Sequence, residues 1–356
     1  MTEETNHYGA TAARVQPRPG REARPLGTTI DIHAHVMVPE AGAFAGPHVD
    51  LSTIPLLHFA TPATQALNRK QDADRREVFF QSIPKRLAEM DAAAIDLQLV
   101  SPAPGQCYFT VRPEIAVPAT RMVNDGIAAY VARQPDRFLG LGTVALQEPT
   151  EAVAELERCM GPLGFKGVEI LTNVDGRELS DPAFEPFWAA AERLGALVML
   201  HPQGFTEGDR LRRFYFNNVI GNPLDTTVAL HYLIFDGVLE RYPRLKILAV
   251  HGGGYLASYS GRIDHAWGAR SDARGTLPHP PSSYLRKIFF DTIVFTPHQL
   301  EYLVNTFGEG QVLMGTDYPF DMAESDPVGH INSVGSFSAA TRAALAGGNA
   351  RRLLGL

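Results

Sequence analysis

Residues 138–201 read FLGLGTVALQEPTEAVAELERCMGPLGFKGVEILTNVDGRELSDPAFEPFWAAAERLGALVMLH. Three short apolar runs, 138–146, 165–171 and 196–200, alternate with two stretches of helical periodicity, about 150–160 and 183–194. An apolar run without polar alternation suits a strand buried on both faces. Parallel strands need a crossover, and a helix supplies it. The stretch therefore predicts consecutive strand–helix units in a parallel sheet. The same alternation extends upstream as a strand at 28–32, a helix at about 84–93, a strand at 97–100 and a helix at about 113–133. Downstream it gives a helix at about 223–241, a strand at 246–250 and a helix at about 255–267. A strand at 288–294, a helix at 297–307, a strand at 311–315 and a closing helix near 339–346 complete the series. Eight such units in 356 residues predict an α/β fold, the (β/α)8 TIM barrel. The competing open, doubly wound sheet would need a phosphate-type glycine loop after an early strand. HGGGY at 251–255 follows the sixth strand and lacks the dinucleotide spacing.

The domain reading is a flexible N-terminal segment over 1–27 and a barrel over 28–356. An insertion subdomain at about 36–80 covers the barrel mouth, irregular from residue 36 to about 76 and too long for a plain loop. A net charge of -7 without a long basic run argues against nucleic acid or an anionic membrane as a partner. No apolar run reaches the roughly 18–20 residues that span a bilayer. The N-terminal segment lacks the apolar core of a secretory signal. Cys107 and Cys159 form no disulfide framework or paired metal motif, so a reduced, cytoplasmic protein is expected.

In a barrel of this kind the active site lies at the C-terminal ends of the strands. The polar residues there are His33, His35, Ser101, Thr172, His201, His251, Asp291 and Asp317. His33 and His35 in IDIHAHV are two apart, so a strand points both to one face. Taken alone, such a pair reads equally well as two buried strand-end histidines. With His201 in HPQG and Asp317 in MGTDYPF at other strand ends, the four become candidate ligands of one divalent metal ion. Asp317 before a Tyr-Pro pair would alone read as a turn or helix cap. His251 is the candidate acid/base beside the metal, and its three glycines either admit a substrate or merely make a tight turn. Asp291 is placed to orient a metal-ligating histidine. Arg262 in GRIDHAW could grip a substrate carboxylate or form a surface ion pair. Arg75 and Arg76 are further carboxylate candidates, although a solvated charge run explains them too. His265 reads as structural.

The set IDIHAH, LHPQG, HGGGY…GRIDH and GTDYPF resembles the amidohydrolase superfamily, from about Thr28 to the C-terminus. More narrowly, it looks like the branch containing 2-amino-3-carboxymuconate-6-semialdehyde decarboxylase and related nonoxidative decarboxylases. RFLGLGTVALQ, GFKGVEI and GNARRLLGL are similar to segments of that branch. The resemblance implies a barrel of the metal-dependent hydrolase type. It implies His33, His35, His201 and Asp317 as metal ligands and His251 as the histidine that activates metal-bound water. It also implies Arg262 as a carboxylate contact, reaching a neighbouring subunit of a homodimer. Zn is the expected metal, with Mn or Fe as alternatives. GVEILTN at 167–173 has no lysine, so the carbamylated-lysine bridge of two-metal members is missing and one ion is expected. Two departures bear on the substrate. No ungapped alignment places Arg75 or Arg76 on the arginines of the branch, and HPQGF…RRFYFNN lacks its tryptophan after the fifth strand.

The expected activity is nonoxidative decarboxylation of a small aromatic or unsaturated carboxylic acid bearing a hydroxyl, amino or oxo group. Asp317 is expected to share proton handling with His251. Hydrolysis or hydration of a related carboxylate by the same centre is the first alternative. An Fe or Mn oxygenase and a non-catalytic binding subunit are more remote.

Overall fold

Each apolar run becomes a parallel strand of one cylinder. The computed structural model describes residues 24–80 and 82–356, the side chains of Asp74 and of residues 76–80 apart. The strands are β1 (Ile30–Val36), β2 (Leu97–Pro102), β3 (Phe138–Gly140, continued by Gly142–Thr143), β4 (Gly167–Leu171), β5 (Leu197–His201), β6 (Lys246–Ala249), β7 (Phe289–Asp291) and β8 (Val312–Leu313). They pair in chain order, all parallel. β3 bridges two sheets: its first segment pairs with β2 at Gln98↔Phe138, its second with β4 at Gly142↔Val168. The cylinder closes where Ile32 N donates to Met314 O at 2.9 Å and His35 N donates to Tyr318 O at 2.7 Å. The fold is the expected (β/α)8 barrel.

Side-chain parity explains the packing. Ile32, Leu99, Leu141, Leu197, Met199, Leu248 and Leu313, from six of the strands, pack as one apolar cluster inside the barrel. Their strand neighbours Val100, Val168, Ile170, Val198, Leu200 and Ile247 belong to a second cluster with the outer helices. Apolar residues on both faces are what a parallel strand between a filled interior and a helical layer requires. Pro113, Pro149 and Pro297 each open an outer helix. A first-turn N–H has no intrahelical partner, so proline loses nothing there. Among the described residues, no helix is long and apolar enough to cross a membrane.

Several boundaries differ from the sequence reading. β1 runs on to Val36, so His33 and His35 lie inside the strand rather than after it. The segment expected to be irregular contains helices Pro39–Ala45 and Pro62–Phe80. The latter is rich in helix formers, but its apolar residues are sparse, and a helix of low amphipathicity escapes a search for periodicity. The helix expected over 223–241 is two, Asn222–Phe235 and Val238–Arg241, because Gly237 adopts a left-handed φ of +75° between them. Most of the segment expected to be flexible, residues 1–23, lies outside the described residues.

Candidate metal centre

A β-bulge in β1 sets the geometry of the site. Asp31 pairs with Gln98 and Ala34 with Val100, so β1 carries one residue more than β2 between these points. A bulge frees a backbone group and re-aims the side chains beyond it. The freed His33 N donates to Asp31 Oδ1, two residues back, at 3.1 Å. Asp31 also accepts from Thr316 N, Thr316 Oγ1 and Gln98 Nε2, at 3.0, 2.6 and 2.8 Å. It therefore ties the bulge to the segment after β8. Arg86, wholly buried, donates to Gln98 Oε1 at 2.6 Å and to His35 O at 2.8 Å, bracing β1 from the helical side.

His33 and His35 thus project into the mouth of the barrel beside His201 and Asp317. Each imidazole is fixed through Nδ1. His33 Nδ1 meets Asp291 Oδ2 at 2.8 Å, His35 Nδ1 meets Pro102 O at 2.9 Å and His201 Nδ1 meets Pro202 O at 2.7 Å. A carboxylate or carbonyl oxygen only accepts, so all three Nδ1 atoms carry the proton. All three Nε2 atoms then present lone pairs. Those of His33 and His35 are 3.0 Å apart, and His201 Nε2 is buried with no hydrogen-bond partner. Asp317 Oδ1 lies 3.2 Å from Nε2 of His35, 3.5 Å from that of His33 and 3.8 Å from that of His201. The four donor atoms lie within 4.8 Å of one another, all in buried residues. Converging lone pairs repel unless a cation stands among them. The donor set therefore fits one divalent metal ion, and nitrogen-rich ligation of this kind suits Zn²⁺, Mn²⁺ or Fe²⁺.

The electrostatics agree. Burial drives the pKa of His201 down to about 3, which keeps the ring neutral as a ligand must be. Burial works against ionisation of Asp317, but the surrounding imidazoles of His201, His251, His35 and His33 outweigh it and hold the carboxyl well below its usual range. His35 is the opposing case: burial pushes it down, yet Glu169 and Asp317 pull it up. An ion at Nε2 would remove that tendency by displacing the proton.

His251 stands next to this set rather than in it. Its Nε2 is 3.5 Å from Asp317 Oδ2, on the far carboxylate oxygen, and its buried Nδ1 has no hydrogen-bond partner. His251 and Asp317 both hold left-handed φ values, +55° and +62°. Such conformations are costly for residues with a Cβ and persist where the surroundings fix them. Here Asp317 N donates to His33 O at 2.8 Å and His251 N to Asp291 Oδ2 at 2.9 Å. Asp291 also accepts from Gly252 N at 2.8 Å, so one carboxylate orients His33 and anchors the turn carrying His251. Replacing Asp291 by Asn keeps the shape but removes the charge behind His33. Metal affinity is expected to fall about 10- to 100-fold. Chelator competition measures it, and an unchanged affinity would remove this role.

A family profile described as amidohydrolase matches residues 30–356. The chain belongs to the amidohydrolase family. It is similar to 2-amino-3-carboxymuconate-6-semialdehyde decarboxylase of Dictyostelium discoideum, 37% identical over 272 residues that cover 76% of each chain. Gamma-resorcylate decarboxylase of Rhizobium sp. (strain MTP-10005) is 30% identical over 290 residues, covering 76% of this chain and 86% of that protein. Among solved structures, 5-carboxyvanillate decarboxylase LigW from Sphingomonas paucimobilis superposes with a TM-score of 0.80 at 27% identity, covering 92% of this chain and 99% of that one.

Other residues singled out in this amidohydrolase fall differently. Arg262 lies exposed on helix Leu256–Ala269 and makes no hydrogen bond or ion pair with the histidine cluster among the described residues. The side chain of Arg76 lies outside the described residues. Arg75 is half-buried, and its charge acts on Tyr215, which also feels Asp317. That places Arg75 within electrostatic reach of the mouth. The glycines after His251 serve the turn. All three have positive φ, and a Cβ on Gly252, Gly253 or Gly254 would stand 2.3 Å from Val294, 2.5 Å from Phe290 or 2.2 Å from Pro223. Protein atoms fill the space that a substrate was expected to use. Glu169 was absent from the sequence reading. It is wholly buried on β4, its Oε2 is 3.5 Å from His35 Nδ1, and burial raises its pKa to about 7.

Proposed function

We propose that this amidohydrolase is a metal-dependent, nonoxidative decarboxylase of an aromatic or unsaturated carboxylic acid that carries a hydroxyl, amino or oxo group. The observation that supports it is the convergence of three Nε2 lone pairs and the Asp317 carboxylate on one point, with His251 beside it. Relatives named for decarboxylation of 2-amino-3-carboxymuconate-6-semialdehyde and gamma-resorcylate support the reaction class. His33, His35, His201 and Asp317 would hold the ion, Zn²⁺ first and Mn²⁺ or Fe²⁺ as alternatives. When bound, it supplies a Lewis acid that polarises oxygen and sharpens the acidity of water.

The chain's own groups supply the proton chemistry. Loss of CO2 leaves an electron pair on carbon, so the reaction needs a proton delivered to the carbon that bears the carboxylate. His251 Nε2, poised against Asp317 Oδ2, holds that proton. Once the carbon is protonated, its bond to the carboxylate breaks. The electron pair of that bond restores the unsaturation, and CO2 departs. Burial of the cluster keeps bulk water from competing for the proton. Arg75, Arg76 and Arg262 are the candidates for holding the carboxylate, Arg262 from a neighbouring chain of a homodimer, which its exposure permits. We place the enzyme in the cytoplasm, in keeping with two free cysteines.

The deciding experiment incubates metal-loaded protein in D2O with 2,6-dihydroxybenzoate and with 2-hydroxybenzoate. CO2 release, with one deuterium at the vacated carbon, is expected. A product that has gained water and kept its carboxylate would establish a hydratase or hydrolase instead. Elemental analysis and light scattering of the same preparation read the metal and the dimer.

A further inference from the structure

A cavity of about 350 Å³ opens between the segment 52–59 and the loops that follow β2, β4 and β5. Leu171, on its wall, pairs with His201 across β4 and β5, and Gln203, also on the wall, follows His201 by two residues. The cavity thus shares the strand ends that carry a proposed metal ligand. None of its described lining residues is Lys or Arg, and its basic group is the exposed His58.

Asp225 lines this cavity and is 5% exposed. Thr172 Oγ1 and Asn173 Nδ2 both donate to its Oδ2. Its Oδ1 meets no hydrogen-bond donor among the described residues. Unlike Glu169 Oε2, this oxygen is not sealed from solvent: it faces the cavity, where water or a ligand can supply the missing donor. Burial raises the pKa to about 6, which leaves the group ionised at neutral pH.

Building on the decarboxylase reading, we infer that this cavity receives the end of the substrate remote from its departing carboxylate. Asp225 selects a hydroxyl or amino donor at that end and rejects a second carboxylate. A donor completes the bonding of Oδ1. A second anion would face an ionised, uncompensated Asp225 across a wall without cationic side chains, and would leave the cavity to lie elsewhere. The substrate class narrows to monocarboxylates with a polar donor at the far end.

The test uses metal-loaded holoenzyme and four probes: 2-hydroxybenzoate and its 4-hydroxy, 4-amino and 4-carboxy derivatives. Calorimetric titration gives each dissociation constant. For the natural sequence, the 4-hydroxy and 4-amino compounds are expected to bind about tenfold or more tighter than 2-hydroxybenzoate, and the 4-carboxy compound about tenfold or more weaker. In Asp225→Asn, the gap between the 4-amino and 4-carboxy compounds should shrink about tenfold or more, with 2-hydroxybenzoate unchanged. A purely structural role would instead weaken all four alike, which overturns the assignment, as does an unaltered gap. The natural-sequence series needs no variant: equal affinities, or no binding of the donor-bearing probes, also overturn it. CO2 release from the same samples reports on the reaction separately. Its absence with the ranking intact would overturn the decarboxylase activity while supporting selection by Asp225.

Discussion

Alanine at His33 or at Asp317 is expected to empty the proposed metal site and abolish turnover. His33 offers a lone pair 3.0 Å from that of His35 and is held there by Asp291, so its loss removes one donor of the four. Asp317 provides the negative charge facing all three Nε2 atoms. Removing it leaves neutral donors alone to hold a doubly charged ion. Dialysed variants should carry less than about a tenth of an ion per chain. The rate of CO2 release should fall about a thousandfold or more, because several kcal/mol of charge stabilisation disappear with the ion. Elemental analysis beside a melting curve checks this. A folded variant that keeps its full metal content would refute the ligand assignment.

The second large effect is at His251, and it has the opposite metal signature. His251 touches the outer oxygen of Asp317 and stands outside the four-donor cluster. Its loss should leave metal content intact and lower kcat by about 10²- to 10⁴-fold, the usual weight of a positioned acid/base group. His251→Asn is the better variant. At a φ of +55° any residue with a Cβ pays roughly 1–2 kcal/mol, and asparagine adopts the left-handed region more readily than alanine. A His251→Asn protein with undiminished kcat would remove the acid/base role. A protein that loses its metal would move His251 among the ligands.

The strand-end rule picks out from sequence the four side chains that the fold brings together, because it needs only the order of strands and the chemistry of the next polar residue. Its failures have identifiable causes. Asp31 and Gln98 went unnoticed because the bulge in β1 breaks the simple alternation of faces, and no pattern in IDIHAHV announces an extra residue. Glu169 hid inside GVEIL, where Val168 and Ile170 made the run look uniformly apolar. A lone carboxylate in a doubly buried strand was the available signal. Arg86 belongs to a helix whose register against β1 only the folded chain fixes. The helix Pro62–Phe80 lacked an apolar stripe to betray it. For Arg262, helix position alone cannot distinguish service in its own barrel from service in another chain's.

β1 and β8 are the first and last strands of the cylinder, and their junction carries two histidines on one side and Asp317 on the other. His35 and Asp317 meet across 282 positions of chain. That is a contact of the most non-local kind. The proposed ligand set is therefore complete only in a closed cylinder. A barrel caught with its seam ajar holds half a ligand set and has no chemistry to perform, so activity itself certifies that the cylinder has closed.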